Sequence, residues 1–260
     1  MSSLDTLLLG FRSPESRPDW GSRRPLPSRR SVLPALDRFH FKGVTEYFED
    51  LVARINTPKL RYANMTFFNQ IDFDCPRLAQ FINCTPTLRG RDEAHVQFRD
   101  SNANIALRHR TSDPDYDDLS IYVLCEEPDW QLSSIEQVCN SLPLSLVEDL
   151  YIEPDPYLEL VWENDAIENT LWLEVLVSFI TVKNLYLSKE FAPGIAAALR
   201  ELVSGRITEV LPSLQNIFVK GLEPSGPFQE NLGQFIVSRQ LSGHPIVLSV
   251  WDEDSNMKST

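Results

Sequence analysis

The chain has 260 residues, a formal charge of −13 and 42% apolar residues. That balance is ordinary for a globular protein, and the acidity disfavours nucleic-acid binding, which needs clustered cations against phosphate. No apolar stretch approaches the ~20 residues that span a bilayer; the N-terminus also lacks a secretory signal's charged start, apolar run and cleavage site. The sequence thus predicts a cytoplasmic or nuclear globular protein without nucleic-acid or membrane partners.

The elements follow in chain order. Arg12, Arg17, Arg23, Arg24, Arg29 and Arg30 stand among Pro14, Pro18, Pro25 and Pro27, so residues 12–31 read as a loop or irregular arm. Asp5, Glu15 and Asp19 argue against a transit peptide. Leu36, Phe39 and Phe41 form a strand that stops at Gly43. Val44, Tyr47, Phe48, Leu51, Val52 and Ile55 then share one helical face, and Thr57-Pro58 ends it. Leu60 to Phe68 reads as a strand. Asp74 is an N-cap candidate before a helix carrying Pro76, Leu78, Phe81 and Ile82.

In the middle, Ala94–Phe98, Asn104–Arg108 and Leu119–Leu124 predict three strands without intervening helices, a β-hairpin insertion near 94–124. Ser133 and Glu136 have capping-box spacing. Strands follow at Leu146–Ile152, Val182–Leu187, Leu214–Val219 and Ile246–Val250. Between them, Leu171–Ile180 is apolar nearly all round and predicts a helix buried on most sides. Ile195, Leu199, Leu202 and Val203 mark the next helix; Pro227 opens another with Phe228, Leu232, Phe235 and Ile236. Residues 252–260 read as a disordered tail.

Three strands share the form apolar-x-[Asp/Asn]-apolar-aromatic-apolar: Val147 to Ile152, Val182 to Leu187 and Leu214 to Val219. Leu150 and Leu185 are 35 residues apart, Leu185 and Ile217 32. Leu36 to Phe41 and Leu60 to Met65 fit the outline. Such periods signal stacked strand-plus-helix units, with first, fourth and sixth side chains facing a shared core. The fold class read here is α/β, a leucine-rich-repeat-like solenoid over residues 32–251. The competing reading is a doubly wound α/β sheet, but no Gly-rich phosphate loop follows the first strand.

The chain resembles the C-terminal leucine-rich portion of the F-box-like family of mushroom-forming (basidiomycete) fungi. The resemblance covers nearly the whole chain and rests on segment similarity. Its carriers are Arg12-Ser13-Pro14, Leu33 through Val44, Tyr47 through Ile55, Thr66-Phe67-Phe68, Asp129 through Ser134, and Val182 through Pro245. It implies a non-catalytic substrate-binding solenoid, the receptor part of a ubiquitin ligase. The family's N-terminal F-box, which docks on a Skp-type adaptor and cullin, has no counterpart in these residues. Residues 1–11, with Leu7-Leu8-Leu9, read instead as the remnant of a preceding repeat, and the expectation is a truncated module. Adaptor and cullin become partners only with an F-box upstream.

Chemical motifs point away from an enzyme. Asp113 to Asp118 starts like a calcium loop, but Asp118 stands where glycine is needed and Leu124 where glutamate is. His40, His95, His109 and His244 form no metal-binding pair, and no nucleophile elbow is present. Cys75, Cys84, Cys125 and Cys139 lack zinc spacing and read as buried reduced thiols. Glu126 and Glu127 are adjacent, and as strand neighbours they would face opposite ways. No catalytic, cofactor or metal residue is assigned. The charge pattern carries the best clue: residues 111–182 contain 17 acidic residues and no Lys or Arg. Such a window reads either as an ordinary solvated surface or, in the sharper reading, as a negative field that steers a basic protein partner. A small α/β enzyme and a non-functional truncated reading frame are the alternatives.

Overall fold

The computed structural model describes residues 4–13, 29–70, 73, 75–110, 118–154, 167–221 and 227–251. In chain order the elements are β1 Thr6–Gly10, β2 Ser31–Val32, β3 Arg38–Gly43, α1 Thr45–Val52, β4 Ile55–Asn56, β5 Tyr62–Phe67 and α2 Pro76–Cys84. Then come β6 Glu93–Arg99, β7 Asn102–Arg108, β8 Leu119–Leu124, α3 Pro128–Asn140, β9 Asp149–Pro154 and α4 Asn169–Val177. The series closes with β10 Asn184–Leu187, α5 Ala192–Glu201, β11 Asn216–Lys220, α6 Pro227–Leu241 and β12 Val247–Trp251. This is a mixed α/β protein with largely parallel strands and, among the described residues, six α-helices. None of those helices is long and apolar enough to cross a membrane.

The chain divides into two compact units, residues 1–92 with 101–143, and 93–100 with 144–260. In the first, the strand order is β1-β3-β5-β8-β7. All pairs there are parallel except β7 with β8, which form the antiparallel hairpin that the sequence predicts. The short β2 pairs with β4 alone. Phe48 of α1 anchors this core. Its ring lies 5.4 to 6.4 Å from those of Phe39, Phe41, Phe67 and Phe81, mostly edge to face. Gly43 is required where β3 ends: a Cβ there would stand 2.8 Å from both Phe11 and Phe41.

The second unit is wholly parallel, in the order β6-β9-β10-β11-β12. Parallel neighbours need a crossover, and α4, α5 and α6 supply those between β9 and β12. Residues of β10 and β11 alternate in burial, as a sheet with one helix-covered face requires. Val147, Leu150 and Ile152 have no exposure, and neither do Val182, Leu185 and Leu187. These are the first, fourth and sixth positions of the repeat. Beneath them Phe98, Trp172 and Phe191 meet with centroids 5.2 to 5.8 Å apart. Arg239 of α6 is fully buried and donates to the carbonyls of Ile207, Pro212 and Leu214, each at 3.2 Å. It ties the helix to the loop that feeds β11.

Several local expectations need correction. The first helix ends at Val52, and Ile55 belongs to β4, paired with Ser31. Ser133 caps nothing: α3 begins five residues earlier at Pro128, whose fixed φ and missing N–H suit a first helical turn. The helix predicted over 171–180 is not buried on most sides. It buries Trp172, Val175 and Leu176, with Phe179 just beyond its end, while Val177 and Ile180 are about half exposed. An all-apolar sequence leaves the buried face to tertiary packing, and only one side of α4 meets the sheet. Cys75, Cys125 and Cys139 are buried free thiols, but Cys84 is exposed. Asp74, residues 113–117, most of the arm over 12–31 and the tail over 252–260 lie outside the described residues.

Phe48 sits at the centre of the first unit, so Phe48→Ala is expected to lower the unfolding free energy by about 3–5 kcal/mol. Urea denaturation followed by circular dichroism measures this.

Candidate interaction surface

Among the described residues, no helix lies on one face of the second unit's sheet. Along β9 that face takes Asp149, Tyr151 and Glu153, because the intervening Leu150 and Ile152 point to the core. The parallel register then sets like against like. Asn184 pairs with both Asp149 and Asn216, and Tyr186 with both Tyr151 and Phe218. The third and fifth positions of the sequence repeat therefore become two rows running across the strands.

The first row is a polar chain. Asn216 Nδ2 donates to Asn184 Oδ1 at 2.7 Å, and Asn184 Nδ2 donates to Asp149 Oδ1 at 2.5 Å. Asn216 begins the chain as donor, Asn184 accepts from it and donates onward, and the Asp149 carboxylate ends the chain as acceptor. Asp149 is 3% exposed, so the row also meets the hydrogen-bonding needs of a buried anion.

The second row is aromatic. His95 of β6 stacks on Tyr151 at 4.3 Å, Tyr151 on Tyr186 at 4.2 Å, and Tyr186 on Phe218 at 4.6 Å, with interplanar angles of 2 to 10°. Rings stacked across a sheet present their edges outward. Trp251 of β12 lies over those edges, 5.7 Å from Tyr151 and 5.5 Å from Tyr186 at angles of 62 and 69°. That contact is the favourable one, positive ring edges against a negative ring face. Lys220, the register partner of Trp251, places its Nζ 5.7 Å from an indole ring centroid. Burial pushes the Tyr151 hydroxyl pKa up strongly, helped by the neighbouring Tyr186 and the charges of Glu93 and Asp149.

Carboxylates border the rings. Glu153 Oε1 accepts from Gln97 Nε2 at 3.1 Å and stands 3.5 Å from His95 Nδ1, while Glu93 Oε2 is 3.9 Å from His95 Nε2. Burial raises the Glu153 pKa, but the imidazole of His95, the Gln97 amide and the charge of Lys220 outweigh it, leaving the carboxyl below its ordinary value. The face thus presents Tyr, Phe and Trp rings beside Glu93 and Glu153, with the buried His95 ring closing the stack.

The motifs weighed for chemistry do not converge here, apart from His95. Asp118, the end of the acidic run, forms an ion pair with the buried Arg91 at 2.9 Å. His109 stands 3.6 Å from Asp92. Among the described residues no group of three or more His, Cys, Asp or Glu is placed to hold a metal ion. Burial raises the Cys139 pKa strongly, which makes its thiol a poor nucleophile. Glu126 and Glu127 correct the sequence reading: they follow the last residue of β8, outside any strand, and line one cleft together. Sequence reasoning missed the two rows, although the repeat's third and fifth positions carried their signal.

Comparison with protein-family models, with curated proteins and with solved structures returns no match for this chain.

Glu153 is ionised at lower pH in the folded protein than in the unfolded chain. Its contribution to stability is present above the ordinary value of 4.5 and is lost as pH falls through the lower folded value. Urea titrations between pH 3 and 6 are expected to show a shallower acid loss for Glu153→Gln than for the wild type.

Proposed function

We propose that this protein is a non-catalytic protein-interaction module whose docking surface is the helix-free face of the second unit. The observation that carries this is the Tyr151–Tyr186–Phe218 row beneath Trp251, bordered by Glu93 and Glu153. Tyrosine and tryptophan are the side chains most enriched at interface hot spots. They bury large apolar area while losing few rotamers. The surrounding carboxylates favour a basic partner, in keeping with the acidic window of the sequence.

The return of the strand pattern after 35 and 32 residues supports reading this part of the chain as a leucine-rich-like solenoid. In that reading the docking face belongs to a substrate receptor of the F-box-like kind. Its role is to hold a protein, and ligase recruitment depends on an adaptor-binding segment elsewhere.

Selection from a displayed library of random peptides tests the proposal. The wild-type protein is expected to enrich basic sequences, with binding that weakens at high salt. Trp251→Ala is expected to weaken the selected peptides at least about ten-fold. Enrichment of neutral or acidic peptides, or selected binding untouched by Trp251→Ala, overturns it.

A further inference from the structure

The first unit contains a cleft of about 540 Å³ lined by Asn69, Ser101, Leu124, Cys125, Glu126, Glu127 and Trp130. It lies past the C-terminal ends of β5 and β8, at the first turn of α3. We propose that this cleft is a binding site for an arginine side chain of an incoming polypeptide. It shares no residue with the aromatic face of the second unit and rests on none of the arguments made for it.

Three observations point to that ligand. First, Trp130 is 47% exposed, although an indole is among the costliest side chains to leave in water. Pro128 starts α3 early and places Trp130 in its first turn, so the ring lines the cleft and does not enter the core. Second, the cleft gathers two carboxylates, and among the described residues that line it none is Lys, Arg or His. Among the described residues neither Glu126 nor Glu127 has a side-chain ion pair. Third, the polar groups present are of matching type. Asn69 and Ser101 add acceptors beside the carboxylates.

The chemistry of guanidinium fits this set better than that of any other side chain. Its plane stacks on indole, and its fork of N–H groups donates to carboxylate oxygens. The Cys125 thiol is no competitor for this role. It is buried, donates to the Glu127 carbonyl at 3.5 Å, and has its pKa raised by that burial.

The test uses the full chain and N-acetyl-argininamide, which carries a single positive charge. Binding is read from the indole N–H resonance of Trp130, assigned by its loss in Trp130→Phe. A saturable shift is expected, at least ten-fold weaker with the uncharged isostere N-acetyl-citrullinamide. It is also expected to be at least ten-fold weaker in the Glu126→Gln/Glu127→Gln protein, with the other indole resonances in place. Equal shifts with the citrulline compound, no shift with the arginine compound, or an undiminished shift in the double variant overturns the proposal. The citrulline comparison stands on the wild-type protein alone, so it decides even if the double variant is perturbed. Failure here leaves the proposal for the second unit's face untouched.

Discussion

Parallel pairing of β9, β10 and β11 without offset is the constraint on which the second unit depends. Leu185 stands against Leu150 on one side and Ile217 on the other. Because side chains alternate along a strand, that single alignment decides both faces at once. It sends Leu150, Ile152, Leu185, Leu187, Ile217 and Val219 to the helices, each 2% exposed or less. It leaves the Asx residues and the aromatic rings on the other face. A slip of one residue would exchange the two sets, placing Asp149 and Tyr151 against α4 and α5.

The helix-free face then reinforces the alignment that created it. Cross-strand aromatic pairs contribute roughly 0.2–1 kcal/mol each. The amide chain is directional, so it closes only when Asn216, Asn184 and Asp149 are level. The same groups make the face suitable for recognition. Stacking holds the rings in fixed orientations, so under the proposed function little side-chain entropy would be lost on binding. Stability and the proposed function draw on one set of residues.

The repeat makes the strand register legible in the sequence. Matching Val147–Ile152 with Val182–Leu187 and Leu214–Val219 aligns the residues that the structure pairs. The hairpin of β7 and β8 was legible for a similar reason, since period-2 alternation survives where no helix intervenes. What failed was local. Capping-box spacing at Ser133 lost to Pro128, which sets the helix start by its fixed φ. Leu171–Ile180 looked wholly apolar, and only tertiary packing decides that Val177 and Ile180 face outward. Strand geometry would set Glu126 and Glu127 on opposite faces, but the strand stops at Leu124 and the chain bends. The aromatic fifth position was visible as a pattern. Its stacking was not, because stacking depends on which strands are neighbours.

The most direct measurement is the set of ring-to-ring nuclear Overhauser contacts of Tyr186. The account predicts cross-peaks from its ring protons to those of both Tyr151 and Phe218, whose centroids lie 4.2 and 4.6 Å away. Cross-peaks to the core methyl groups of Leu150 and Ile217 in place of those rings would contradict the register, and with it the face on which the proposed function rests.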